Sequence, residues 1–528
     1  MLVTRNRSER FGIASAALGI GSSLIGTIYR GAQLISDGIK IISKKEKFIL
    51  GELVERATQS EGGNTSTYLG LPFMKAASFH IFTGEKWLRE ALSYGEHNND
   101  DPSSYDPEAR KLFAPIAQFL GTEMVINRNG PTVKEERLSL IASLTSKKAL
   151  TAAIEASDHL ISNWSTKKSI NEQISFCSIQ AIGKAVFGCH DIPESVTPLL
   201  NKAEHDVFNR DQVSDTDFND RIKKLKEISD PYTERHGETI LSSPNYIRYL
   251  YEKQKEKEKQ EEEKGNKPKK PVELKDINPL FGLLVEGNIT SIVTGAVLKI
   301  ASSPEIQSKL KHELKSLREE DLSVEGYEKL KKLKYLHNIY LECLRYFSPS
   351  PPIARYASKH GKIGDIAISP RSYIFILLRP MMFDPKHWLE PEKFLPERHE
   401  TTKNKLGQYP FVPFSTYPRI CPASLGFIEA HFKMVIAKLF MNKELILTSH
   451  QEIETIPVIT KEPRLHQKYH GVLKEISESP NAPLTPSYKN QKVKRPKVKN
   501  SLTLNQSGQN TNCQTSGEEV KTKKLLYG

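Results

Sequence analysis

Five cysteines are spread along the 528 residues: Cys177, Cys189, Cys343, Cys421 and Cys513. They are odd in number and widely spaced, with no Cys-x-x-Cys pair. That argues against a disulfide framework and a structural zinc site, and for a reducing compartment. A thiol outside such a framework is usually a small buried hydrophobe. Deprotonated, it is a soft donor to a metal. Cys343 sits among apolar residues at helical spacing and reads as core. Cys421 ends the segment Phe411-Val412-Pro413-Phe414-Ser415-Thr416-Tyr417-Pro418-Arg419-Ile420-Cys421, and its residues alone leave both readings open. Upstream, Glu342 and Arg345 are three residues apart and share a helix face, so a carboxylate and a guanidinium can pair. Thr290 is either a helix threonine bonding its own backbone or an alcohol available for chemistry. No HExxH, Walker loop, GxSxG or paired-cysteine zinc pattern competes with these residues.

The elements that must position them read mostly as helices. From Gly51 to about Ile240 apolar residues recur at three- and four-residue spacing. A charge run, Glu252 to Lys264, reads as a solvated helix laced by Glu–Lys pairs, ended by Gly265 and the prolines at 268 and 271. Asn278-Pro279 then opens a long apolar-periodic helix (Phe281, Val285, Ile292, Ala296, Ile300) ending near Ser303-Pro304. The next helix carries Leu333, Leu336, Tyr340 and Leu344 and stops at Ser348-Pro349-Ser350-Pro351-Pro352. Strand-like pieces follow at Ala367–Ser369 and Tyr373–Leu378, and a last helix spans Ala423–Asn442.

The ends differ from this body. Arg5, Arg7 and Arg10 precede an uncharged stretch, Phe11–Tyr29, barely long enough to span a bilayer and rich in Gly, Ser and Ala. A weak membrane anchor or interfacial helix and a soluble leader helix are equal readings; a secretory signal trails them. The formal net charge is +13. Beyond Asn481, nine Lys/Arg face only Glu518 and Glu519, so more than half of that charge lies in a polar tail expected to be disordered. The body is therefore only mildly basic, and nucleic-acid binding is not expected. The resulting division is a leader at 1–50, a body at 51–476 with a charged insert at about 252–276, and a disordered basic tail at 477–528.

Taken in order, Glu342-Cys343-Leu344-Arg345, Pro396-Glu397-Arg398-His399 and Phe414…Arg419-x-Cys421 resemble the cytochrome P450 family. That family shows an ExxR pair, a PERF-like segment and a haem-binding loop written FxxGxRxCxG. The resemblance covers roughly Gly51 to Ile476. It extends to Val285-Glu286-Gly287-Asn288-Ile289-Thr290-Ser291, similar to the oxygen-binding helix, and to Val133…Arg137, similar to the W/H-xxx-R of an early helix without its aromatic residue. It implies a mainly α fold with a small β-rich subdomain and one haem (iron protoporphyrin IX) ligated by the Cys421 thiolate, which would favour O–O cleavage. It further implies Phe414 in the haem loop, Arg137, Arg355 and Arg419 on the propionates, and a buried salt-bridge triad of Glu342, Arg345 and Arg398.

The implied function is monooxygenation of a hydrophobic small molecule with O2, with electrons from a separate reductase or ferredoxin. The expected location is cytoplasmic or membrane-associated on the cytoplasmic side. A peroxide-consuming or rearranging haem-thiolate enzyme is the runner-up, and a catalytically weak haem-binding scaffold the third reading. Three positions depart from the family pattern. Tyr417 and Ala423 stand where the loop has glycine, and Ile289 stands where the helix has an acid beside the threonine. Ile289 cannot carry a proton, and Glu286, four residues before Thr290 on nearly the same face, is the candidate to replace it.

Overall fold

Short polar caps set where helices begin. Ser146 accepts the Ala149 amide, Ser169 and Glu172 form a reciprocal capping box, Asn245 accepts the Arg248 amide, and Ser303 precedes Pro304 at a first helical position. The structure is a computed structural model. It describes residues 132–208, 213–242, 244–265, 271–277, 287–347, 353–357, 360–370, 372–416, 420–448 and 469–475, with short segments at 3–4, 66–69, 79–82 and 85–93. One compact unit spans 1–476; the second, 477–528, including the basic tail, lies outside the described residues, as does Phe11–Tyr29. Among the described residues no helix is long and apolar enough to cross a membrane.

The helices in chain order are α1 (Glu85–Ser93), α2 (Thr132–Thr145), α3 (Lys147–Ser162), α4 (Ile170–Val186), α5 (Val196–Phe208), α6 (Asp215–Ser242) and α7 (Tyr246–Glu263). After them come α8 (Gly287–Ser302), α9 (Pro304–Leu314), α10 (Tyr327–Lys331), α11 (Lys334–Tyr346), α12 (Arg379–Met382), α13 (Arg398–Thr401) and α14 (Phe427–Phe440). The charge run is helical as expected. In α7, Arg248–Glu252, Lys253–Glu256 and Lys255–Glu258 pair at 2.7, 3.1 and 3.0 Å, and Gly265, at φ +83°, follows its end.

The β part is small. β1 (Val3–Thr4), β2 (Ser66–Leu69), β3 (Phe79–Phe82), β4 (Ile353–Ala357) and β7 (Ser372–Ile376) form one sheet in the order β1-β2-β3-β7-β4. β3 runs parallel to β7, Phe79 opposite Tyr373, and the other neighbours are antiparallel. β5 (Gly361–Ile363) pairs with β6 (Ile366–Ile368), and β8 (Lys443–Leu447) with β9 (Gly471–Glu475). The expected helical stretch from Gly51 is therefore corrected at its start, where β2 and β3 stand. The aromatic and β-branched residues of β3 find partners nearly three hundred residues away, and such pairing overrides local periodicity.

The helix expected over Ala423–Asn442 is corrected too. Pro422–Leu425 is a 3-10 turn, Gly426 stands at φ +141°, and α14 starts only at Phe427. A side chain at that φ would be strained, so the glycine lets the chain turn between the two segments.

α8 packs against α4, α11 and α14 and forms the centre of the helical body. Ile292, Val293, Ala296, Val297 and Ile300 are all buried there. Gly295 lets α8 approach α11 closely: a Cβ at this position would lie 2.5 Å from the Phe347 ring. Gly→Ala in a helix interior ordinarily stabilises by about 0.5–1 kcal/mol. Here overpacking reverses the sign, and Gly295→Ala should lose about 1–3 kcal/mol. A denaturant midpoint that rises in this variant would refute the close packing.

Candidate functional site

A single buried carboxylate organises the segment between α12 and α13. Glu342 and Arg345, both on α11, are fully buried, and α11 places them on one face. Glu342 Oε1 accepts from Arg345 Nη2 at 2.8 Å, from Arg398 Nε at 3.1 Å and from the Leu395 amide at 2.9 Å. Its Oε2 accepts from Arg345 Nε at 3.0 Å and lies 2.9 Å from His399 Nε2. Burial pushes this carboxyl up, but hydrogen bonds from His399 and Arg345 outweigh burial and hold it below the usual carboxylate range.

The remaining donors of the two guanidinium groups hold chain that has almost no regular structure. Arg345 donates to the carbonyls of Met382 (3.0 Å) and Lys393 (3.1 Å). Arg398 donates to those of Leu389, Glu390 (3.1 Å) and Lys393 (2.9 Å). Arg345 also lies over the rings of Phe383 and Trp388, 5.1 and 5.5 Å from their centroids. The sequence-predicted triad of Glu342, Arg345 and Arg398 is thus brought together, and His399 is a fourth member.

Beyond this cluster lies the cysteine loop. The Cys421 amide donates to the Phe414 carbonyl at 2.9 Å, and Ser415, at φ +66°, turns the chain between them. The Ser424 amide and hydroxyl donate to the Cys421 carbonyl at 3.2 and 2.6 Å, and the Ala423 and Ser424 backbone amides favour the ionised form of the Cys421 sulfur. The Arg137 guanidinium, from α2, donates to the carbonyl of Ile420. Burial raises the thiol above its ordinary value; the two amides and the Arg137 charge oppose that rise. Among the described residues Cys421 is the one cysteine not fully buried. Burial pushes Cys177 and Cys343 far up and Cys189 to about 12, which leaves those three as inert core thiols.

The other predicted site residues are placed unevenly. Thr290 and Ile289 are both buried in the first turns of α8. Phe414 is half-buried against the core. Arg355 lies in β4 opposite Ile374, with its side chain outside the described residues. Glu286, Tyr417 and Arg419 also fall outside them.

Sequence reasoning missed a second charged group beneath the loop. Glu429, eight residues after Cys421, accepts from Lys433 Nζ and His337 Nδ1, both at 2.9 Å. Burial pushes Glu429 up, yet these partners hold it down at about 2. Lys433 is fully buried and donates also to the Lys331 carbonyl at 2.7 Å. Its i, i+4 spacing from Glu429 was the available signal.

A fold of this kind, with a cysteine loop above a carboxylate lock, is that of a haem-thiolate protein. The family model described as "Cytochrome P450" matches residues 93–458, and the chain belongs to the cytochrome P450 family. It is 28% identical over 153 residues to cytochrome P450 3A5 of Homo sapiens, covering 29% of this chain and 30% of that protein. It is 24% identical over 248 residues to cytochrome P450 3A7 of Homo sapiens, covering 47% and 46%. It is 30% identical over 255 residues to cytochrome P450 4d2 of Drosophila melanogaster, covering 46% and 50%. The matched part thus spans about half the length of these relatives or less.

The family uses haem, and the donor set here fits that group. A half-buried sulfur is favoured in its ionised form by the Ala423 and Ser424 amides, and the Arg137 guanidinium bonds the carbonyl of the residue before it. Because both guanidinium groups of the lock depend on one carboxylate, Glu342→Ala should cost roughly 3–5 kcal/mol, the scale for breaking a buried pair. The variant is expected to give little soluble protein with bound haem. Melting temperature and haem content equal to those of the parent would show that the carboxylate is dispensable.

Proposed function

We propose that this chain is a haem-thiolate monooxygenase that inserts one oxygen atom from O2 into a hydrophobic small molecule. Cys421 would ligate the haem iron through its thiolate, and electrons would come from a separate reductase or ferredoxin. The observation that carries this reading is the Cys421 sulfur itself, half-buried, with the Ala423 and Ser424 amides and the Arg137 charge all favouring its ionised form. When bound, the thiolate-ligated haem supplies the electron-rich iron that favours O–O cleavage.

The chain's own residues have distinct tasks. The Ala423 and Ser424 amides stabilise negative charge on sulfur. Pro422, between Cys421 and Ala423, has no amide proton and starts the turn that presents those two donors. Arg137 holds the Ile420 carbonyl, and its positive charge suits a nearby propionate, a role shared with Arg355 and Arg419. Phe414 packs in the loop that ends at Cys421. Thr290 supplies an alcohol on α8, and Glu286 is assigned the proton-carrying role that Ile289 cannot fill. The reading assigns the protein to the cytoplasm or to weak attachment on the cytoplasmic side of a membrane, with no nucleic-acid partner.

Reduced, haem-loaded protein under carbon monoxide should show the thiolate-type absorption band, and Cys421→Ser should abolish it, since a protonated hydroxyl is a poor soft donor. An imidazole-type band in the parent, or an unchanged spectrum in the variant, removes Cys421 from its role. Titration with lipid, terpenoid and aromatic compounds, followed by the spin-state shift, then identifies the substrate class.

A further inference from the structure

We propose that His399 is a positioning residue that makes the Glu342 lock acid-sensitive: the lock closes on a neutral imidazole and loosens when that ring takes up a proton. The geometry fixes the tautomer of the neutral ring. An ionised carboxylate only accepts hydrogen bonds, so the 2.9 Å contact with Glu342 Oε2 requires the proton of the neutral ring to sit on Nε2. The other nitrogen, Nδ1, is buried with no hydrogen-bond partner. A second proton there would create a buried donor with nothing to bond.

It would also add a third cation to a site with one anion. The charged groups facing His399 are Glu342 and Arg345 from α11 and Arg398 beside it on α13. Trp388 and Phe411 pack against it with uncharged rings, at 6.0 and 5.7 Å between centroids. Consistent with this, burial and the two arginine charges outweigh Glu342 and keep the imidazole below its ordinary value.

The linkage sign follows directly. A histidine with a depressed folded pKa contributes stability that is present above its unfolded pKa, about 6.5. That contribution is lost as pH falls below it, because the unfolded chain then binds the proton that the folded one refuses. The same carboxylate holds the Leu395 amide and orients both guanidinium groups. Protonation therefore loosens the segment from Met382 to Arg398 first.

The test uses the full-length, haem-loaded protein and the variants His399→Gln, which keeps a neutral donor, and His399→Phe, which removes both donor and titration. Between about pH 7.5 and about pH 5.5 the folded-to-unfolded ratio of the parent should fall more than that of His399→Gln. The difference should be several-fold, with a limit of about tenfold for one proton. His80 and His431, which burial holds down at about 4, lose stability in the same window in both proteins and cancel in the difference.

His399→Phe should share the flattened pH dependence but start from lower stability. Equal pH slopes in parent and His399→Gln would overturn the proposal. If neither variant folds, hydrogen exchange on the parent decides. The peptide containing Leu395 should lose protection near pH 5.5, after correction for intrinsic rates, while a peptide within 293–302 of α8 keeps its own. Equal retention in both peptides would sink the idea. The inference rests on the haem-thiolate reading only for the cofactor; absence of the carbon-monoxide band near neutral pH would refute that reading and leave the pH comparison intact.

Discussion

The carboxylate of Glu342 is where most of the local order beneath the cysteine loop originates. It is fully buried, and its two oxygens receive two guanidinium groups, a backbone amide and an imidazole. The site carries more positive than negative charge, and the balance is made up by the carbonyls of Met382, Leu389, Glu390 and Lys393. Burying such a group gives little net stability, because desolvation offsets most of the attraction. What it provides is geometry. Chain between α12 and α13 has neither strand nor long helix to define it, so hydrogen bonds to its carbonyls define it instead. Even Glu390, a non-glycine residue at φ +47°, is held in place by the Arg398 donor on its own carbonyl.

Charge placement also separates the cysteines by chemistry. At Cys177, Cys189 and Cys343 burial outweighs the single opposing influence of Lys438, Tyr232 and Lys299 respectively, so their thiols stay protonated. Cys421 pays the same desolvation penalty, but two amides and an arginine oppose it. The 3-10 turn of Pro422–Leu425 keeps the Ala423 and Ser424 amides close to Cys421 before the chain passes through Gly426 into α14.

Part of this was legible in the sequence. Glu342 and Arg345 announce themselves by helical spacing, and order along the chain links them to Arg398 and Cys421. α7 followed from charge spacing, and α11 and the stop at Ser303-Pro304 from apolar period and proline. The rest was hidden for physical reasons. β3 reads as part of a helical region because its partner strand, β7, is remote in the chain. The break at Gly426 depends on a φ that composition does not encode. His399 stood in plain view beside Arg398, but whether a histidine points at a carboxylate or at solvent is a matter of packing. Lys433 looks like a surface residue until α14 turns out to be buried all round.

The bond from Arg137 to the Ile420 carbonyl joins residues 283 positions apart. During synthesis, the arginine leaves the ribosome long before its acceptor exists. At about 5–20 residues per second, it waits on the order of fifteen seconds to a minute. Closing so long a loop is entropically costly and brings no reward until both ends are ordered. The cysteine loop therefore belongs to the last part of the body to assemble. A ribosome stalled before residue 421 would hold a nascent chain with most of its helices already made and no cysteine loop to complete.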